Sequence, residues 1–510
     1  MPTKLDHPLF PIDPIHRSAR WRPVLAAVAG WLLLSAASVA AEAAAWGSEG
    51  CPSRVAMRQI VDQAFAATPA GELIPGRGSG APGYSVAVSN AECGRFRYAV
   101  GQRDVERGRA MTVRTRHHLG SLTKVLTAVV VLRLDAAGHF GPAGLDTPLD
   151  DILSEIELAA LTVGPDVTAP RCPSDIRAID RSTGGWRAIV AECPDFSRIT
   201  LRHLLAGHHG LLDFVTEVDR DANGILDSDQ LALGSLFEAL GVTRLDLPSD
   251  AGSAFDLLAA TGVLADPEAT IGGHRRADFE VSFGNTGYTL LGLAAERVTG
   301  RPLNALFARW LGRCSGDGVA VLTAPPMSDG RIARQFLVTS GADDVGLPED
   351  LFGVYPQSSL AGHPAVDVYD LDAFLITNSG GGAGAGVATP TRFRQIVDAL
   401  LGGRLSEPKA QQEFDRGFVT IDELPGVEHG FGLFRFTDPE FGPGYAKSGR
   451  VTGSTCQLLH FTDPATTVVA CRNSADAFLG DARPPTSTPV ADLARDLVRA
   501  VRASESDGGR

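Results

Sequence analysis

Residues 120–134 read Gly120-Ser121-Leu122-Thr123-Lys124-Val125-Leu126-Thr127-Ala128-Val129-Val130-Val131-Leu132-Arg133-Leu134. Apolar side chains at Leu122, Val125, Leu126, Val129, Val130 and Leu132 predict a helix that begins near Ser121 and runs to about Gly138, where a glycine can end it. Its apolar content implies burial. The three-residue separation of Ser121 and Lys124 stacks a hydroxyl and an amine on one helix face, within hydrogen-bond reach. A serine hydroxyl is a poor nucleophile until a neighbour takes its proton. Burial at the start of a helix, where the macrodipole disfavours a cation, would weaken the lysine's hold on its own proton. Lysine is scarce here. Of 46 basic residues only Lys4, Lys124, Lys409 and Lys447 are lysine, and lysine, unlike arginine, can be desolvated until it acts as a base.

Working outward, Val55 to Ala67 has helical spacing, while 84–88 and 96–100 read as strands. Strands return over 430–436, 445–448, 457–461 and 466–470, and Val490 to Val501 is an amphipathic helix. Strands at both ends of the chain predict an α+β fold: an antiparallel sheet flanked by helices, built from 46–145 and 381–503, with an inserted, mainly helical lobe of long loops over 146–380. Residues 504–510 read as a polar tail. Within the second group of strands, Lys447-Ser448-Gly449 places a positive charge beside a small residue and a glycine, which lets a substrate backbone approach a strand.

Ser121-x-x-Lys124, Phe283-Gly284-Asn285 and Lys447-Ser448-Gly449 recur in the order and rough spacing of class C β-lactamases, D,D-peptidases and related esterases, and the chain resembles that family from about Ala81 to the C-terminal helix. Leu201 to Leu205 with Gly210-Leu211, Asn285 to Tyr288 with Leu290 to Gly292, and His429 to Leu433 resemble the segments around its active-site cleft. The resemblance implies the β-lactamase/transpeptidase fold and a serine acyl-enzyme on a D-Ala peptide, β-lactam or small ester. It further implies Ser121 as nucleophile, Lys124 and Asn285 orienting and deprotonating it, and Lys447 lining the cleft with Ser448, Gly449, Arg450 and Phe283. The backbone amides of Ser121 and Arg450 would form the oxyanion hole. No catalytic cofactor is implied.

One position departs from the family pattern. Most relatives carry a proton-shuttling tyrosine where this chain has Phe283, which has no ionisable group. Lys124 would then act alone as base, or Tyr445, on the same strand face as Lys447, would replace the tyrosine; the plainer reading is that Tyr445 packs. The alternative function is a catalytically weakened relative that binds peptides or a protein partner.

A second signal lies in the insertion. Asp219, Asp221, Asn223 and Asp227 supply oxygens at alternating positions around the turn glycine Gly224, so 219–230 resembles a calcium loop, although its twelfth position is Gln230 rather than a bidentate glutamate. The other reading is an acidic loop. His208 and His209 lack an evident third ligand and read as a polar loop.

A net charge of -14 without a basic cluster disfavours a nucleic-acid partner. Uncharged Pro23 to Ala41 predicts an export signal over 1–45, with a membrane anchor if it is not cleaved, and hence a periplasmic or secreted protein. Seven cysteines fit an oxidising compartment. Cys456 and Cys471 flank a turn symmetrically, Cys172 and Cys193 bracket a loop, and Cys51 and Cys93 pair by elimination, leaving Cys314 free. The competing reading is that several of them are simply small buried residues.

Overall fold

The computed structural model describes residues 46–48, 50–66, 83–104, 107–163, 172–180, 185–214, 218–219, 258, 262–266, 284–311, 320–321, 333, 336–339, 353–355, 367–370, 381–403, 407–420, 426–451, 454–476 and 489–507. The predicted signal, Phe283, Cys314 and most of the 219–230 loop lie outside these. Among the described residues no helix is long and apolar enough to cross a membrane.

The central sheet uses strands from both chain ends: β1 (Tyr84–Asn90), β2 (Gly94–Val100), β3 (Val419–Thr420), β4 (Glu428–Gly430), β5 (Leu433–Asp438), β6 (Gly442–Val451), β7 (Ser454–Thr462) and β8 (Ala465–Arg472). Their order is β3-β4-β5-β6-β7-β8-β1-β2, and every neighbouring pair is antiparallel. The helices that matter to the argument are α1 (Arg54–Ala66), α2 (Thr123–Ala136), α3 (Leu201–Ala206), α4 (Asn285–Thr299), α5 (Pro390–Leu401) and α6 (Pro489–Asp507).

Both faces of the sheet are covered, so β8 is buried along nearly its whole length, with Val468 to Cys471 apolar on both faces. On one face α1 and α6 pack through Met57, Val61, Leu493 and Leu497. On the other lies the larger core, with α2 at its centre. This helix is apolar all round because it is enclosed all round: Thr123 to Asp135 are all buried.

Between residues 146 and 380 the structure holds helices, including α3 and α4, together with strands where the sequence predicts long loops. Ser174–Asp180 and Gly185–Ala191 form a hairpin, and Phe336–Thr339 pairs in parallel with Ser474–Asp476 near the C-terminal end. The single strand predicted over 430–436 is divided. Phe431 and Gly432 adopt positive φ values of 52° and 79°, which sends the Phe431 ring into the core beside Phe414 and Phe418 and brings the Gly432 backbone onto Lys124. A Cβ on Gly432 would lie 2.8 Å from the Lys124 carbonyl carbon.

Three disulfides form, Cys51–Cys93, Cys172–Cys193 and Cys456–Cys471. The last joins directly opposed residues of β7 and β8.

Buried histidines give the fold a pH dependence. His117 meets the Ser85 hydroxyl at 2.7 Å through Nε2, and burial, with the adjacent His118, holds its pKa down at about 3. Burial lowers His118 to about 4. Their unfolded-state value is near 6.5, so stability is full above that pH and is lost as pH falls towards 4, where the unfolded chain binds protons that the native state refuses. The expected slope is roughly 1.4 kcal/mol per pH unit for each histidine. Urea unfolding at pH 7.5 and pH 5.0 checks this: a marked fall is expected, shallower in His117→Gln, and equal stabilities would contradict it.

Candidate active site

Ser121 occupies the 3-10 turn Gly120–Leu122, which leads directly into α2. The turn is set from two sides. Leu119 N–H donates to the Gly386 carbonyl at 2.8 Å, and the Thr123 hydroxyl donates to the Gly120 carbonyl at 2.6 Å while accepting from Gly386 N–H at 2.9 Å. On the other side the turn presses against β6. Gly120 has φ +52°, and a Cβ there would lie 2.5 Å from the Arg450 backbone nitrogen; a Cβ on Gly449 would run into the Leu119 carbonyl oxygen. Glycine is required at both places because backbone meets backbone. The Arg450 backbone is thereby brought beside the turn that carries Ser121.

Lys124, one turn into the helix, is 1% exposed. Its Nζ reaches the Ser121 hydroxyl at 2.8 Å, the Asn285 Oδ1 at 2.7 Å and the Ala383 carbonyl at 3.3 Å. These three acceptors match the three protons of an ammonium. Loss of one proton would leave a lone pair directed at the serine hydroxyl.

Asn285 is the first residue of α4. Its side-chain Nδ2 donates to Asp213 Oδ1 at 3.1 Å, and its backbone N–H donates to Asp213 Oδ2. Lys447, on β6, is 7% exposed with its ammonium over the Phe434 ring, 5.2 Å from the centroid. Gly449 is buried against the Ser121 turn, and Ser448 is exposed.

The tyrosine beside Lys124 is Tyr288, whose ring centroid lies 6.0 Å from Nζ. Its hydroxyl donates to the Leu205 carbonyl at 3.0 Å. Burial holds the phenol well above its ordinary range, with the Gly432 backbone hydrogen bond opposing, so it stays protonated and tied down. Tyr445 packs between the Phe418 and His460 rings and hydrogen-bonds Arg435.

The structure therefore brings together Ser121, Lys124, Asn285 and the β6 segment of Lys447, Ser448, Gly449 and Arg450. Of the calcium-loop residues, Asp219 ends the short strand Val218–Asp219, paired with Arg177–Ala178; Asp221, Asn223 and Asp227 lie outside the described residues, as does Phe283. His209 is buried beneath the start of α4, its Nδ1 accepting from Leu211 N–H at 3.0 Å, and His208 meets the His429 ring edge-on at 5.3 Å. Among the described residues, no group of three or more His, Cys, Asp or Glu side chains could hold a metal ion. Two partners escaped the sequence reading, Asp213 and the Ala383 carbonyl. No local pattern marks either.

A family model described as Beta-lactamase matches residues 58–475. The structure is similar to D-amino acid amidase from Ochrobactrum anthropi SV3, complexed with L-phenylalanine amide, at 20% identity and TM-score 0.55, covering 89% of this chain and 99% of that one. It is also similar to a penicillin binding protein from Bacillus halodurans, at 17% identity and TM-score 0.53, covering 88% and 99%. A third likeness is to EstCE1, a hydrolase with promiscuous acyltransferase activity, at 17% identity and TM-score 0.52, covering 89% and 99%. Among curated proteins, none matches the chain. At these identities the likenesses establish the fold.

Proposed function

The chain belongs to the β-lactamase family, and from that premise we propose that it is a serine hydrolase acting through an acyl-enzyme on an amide or ester: a D-Ala peptide, a β-lactam or a small ester. The observation that carries this is the Lys124 Nζ, buried and shared between the Ser121 hydroxyl at 2.8 Å and Asn285 Oδ1 at 2.7 Å. Lys124, as free amine, takes the Ser121 proton while the hydroxyl oxygen attacks the substrate carbonyl. Asn285 holds the amine in line. The Ser121 and Arg450 backbone amides stabilise the oxyanion, and the returning proton leaves with the amine or alcohol. Lys447 supplies a positive charge at the cleft wall, and Ser448 and Gly449 leave the strand open to a substrate backbone.

With phenylalanine at position 283 and Tyr288 tied to Leu205, Lys124 carries the proton transfer alone. General acid–base assistance is worth about 10²- to 10⁴-fold, so losing the tyrosine slows turnover without removing acylation. That same departure favours the second reading, a weakened relative that binds peptides or a protein partner. The three disulfides suit an oxidising compartment, and the proposal places the protein outside the cytoplasm.

Intact-mass measurement over a panel of D-Ala-D-Ala peptides, cephalosporins and short esters tests the proposal. The expected result is an acyl adduct with at least one class and none in Ser121→Ala. Binding without an adduct anywhere in the panel would favour the second reading.

A further inference from the structure

The clamp on Asn285 points to a residue with no part in the motifs. We propose that Asp213 is a positioning residue for the Ser121–Lys124 pair, fixing which end of the Asn285 amide faces Lys124 and setting a buried negative charge behind it. Asn285 presents an acceptor oxygen at one end of its amide and donor hydrogens at the other. Only the oxygen suits an ammonium, since a flipped amide would oppose donor to donor. A carboxylate accepts only. By taking Nδ2 at 3.1 Å, Asp213 excludes the flip and leaves Oδ1 on Lys124 at 2.7 Å. Its other oxygen takes the Asn285 backbone N–H, at a helix start whose Gly284 cap offers no side chain. One carboxylate thus holds the residue by both its main chain and its side chain.

Asp213 is itself held. It is 2% exposed, and the residues on either side are laced to α4: the Thr286 hydroxyl donates to the Leu212 carbonyl at 2.8 Å and accepts from Phe214 N–H at 3.1 Å. His209 closes the same segment from below, where a Cβ on Gly287 would lie 2.6 Å from its Nε2. The carboxylate is therefore fixed in place and not a mobile side chain that happens to touch Asn285.

The charge has a consequence for Lys124. Among the described residues, the titratable groups that face this end of α2 include the Tyr288 ring on α4 and Asp213 behind the Asn285 amide, with His209 against α4 at Gly287 and Lys447 on β6; Lys409 and Asp135 pair at the far end of α2, 3.0 Å apart. A negative charge there favours the ammonium, so its removal is expected to lower the pH at which Lys124 becomes a free amine. The catalytic meaning of this rests on the function proposed above, whereas the titration itself does not.

With only four lysines in the chain, protein labelled with ¹³C at lysine Cε gives a spectrum simple enough to follow each one, Lys124 being identified by its loss in Lys124→Met. In Asp213→Asn the Lys124 midpoint is expected to fall by about one pH unit, the effect of removing a buried charge two hydrogen bonds away, with Lys409 unmoved. The pH profile of Ser121 labelling by a fluorophosphonate should move the same way. An unchanged Lys124 midpoint in the folded variant would overturn the proposal. Should Asp213→Asn not fold, Asp213→Ser keeps an acceptor without the charge and carries the same expectation and the same contrary result. If the wild type failed to acylate with any reagent, the functional reading would fall and the titration would still decide the role of Asp213.

Discussion

Lys124→Met is expected to slow covalent labelling of Ser121 by about 10²- to 10⁴-fold, the range over which a positioned base acts, while leaving the fold intact. Methionine follows the same unbranched path and suits a position that is 1% exposed. It removes both the amine proposed to take the serine proton and the donor that holds Asn285 Oδ1. The Ser121 hydroxyl and the Asn285 oxygen, both in half-buried residues, are then left to other donors. Stopped-time labelling with a fluorophosphonate, followed by intact mass, measures the rate. A variant that labels within threefold of the wild type would show that some other group activates the serine.

Gly449→Ala should be almost as damaging, for a geometric reason. The added carbon would run into the Leu119 carbonyl and lie 2.8 Å from the Leu122 amide nitrogen. Both are backbone, so neither can swing aside, and β6 must move away from the Ser121 turn. A displacement of that kind at the reacting centre costs about 10²-fold in rate, and the overpacking costs roughly 1–3 kcal/mol of stability. Gly384→Ala is the matched control, since nothing lies within 4 Å of a Cβ there. Equal rates for the two variants would mean that the contact of β6 with the Ser121 turn does not shape the site.

The parts of this site that could be read from sequence are those whose geometry is local. Ser121 and Lys124 are one helical turn apart, and periodicity alone puts them on one face. Cys456 and Cys471 pair because a tight turn halfway between them folds the chain symmetrically, and β7 and β8 do set them opposite each other. Lys447, Ser448 and Gly449 were legible through an ordered set of motifs, not through any one of them.

What escaped notice depends on contacts between distant segments. Asp213 meets Asn285 across 72 residues, and nothing about an aspartate two residues after a Gly-Leu pair announces a clamp. The Ala383 carbonyl is a backbone group and leaves no trace in composition. The hairpin of Ser174–Asp180 and Gly185–Ala191 reads as a loop from its polar content around Thr183-Gly184-Gly185, although Ile176 and Ala178 are buried in alternation. The division of the 430–436 strand turns on the left-handed Phe431, an unusual conformation for a bulky residue, adopted where its ring fills a core pocket between Phe414 and Phe418.

The central claim is that one hydroxyl, Ser121, is the nucleophile of this protein. The most direct measurement is peptide mapping of the protein after reaction with a fluorophosphonate at neutral pH. One equivalent of adduct on the peptide that contains Ser121, absent from Ser121→Ala, is the predicted result. Adduct on a different residue, or equal modification of the Ser121→Ala variant, would contradict the account.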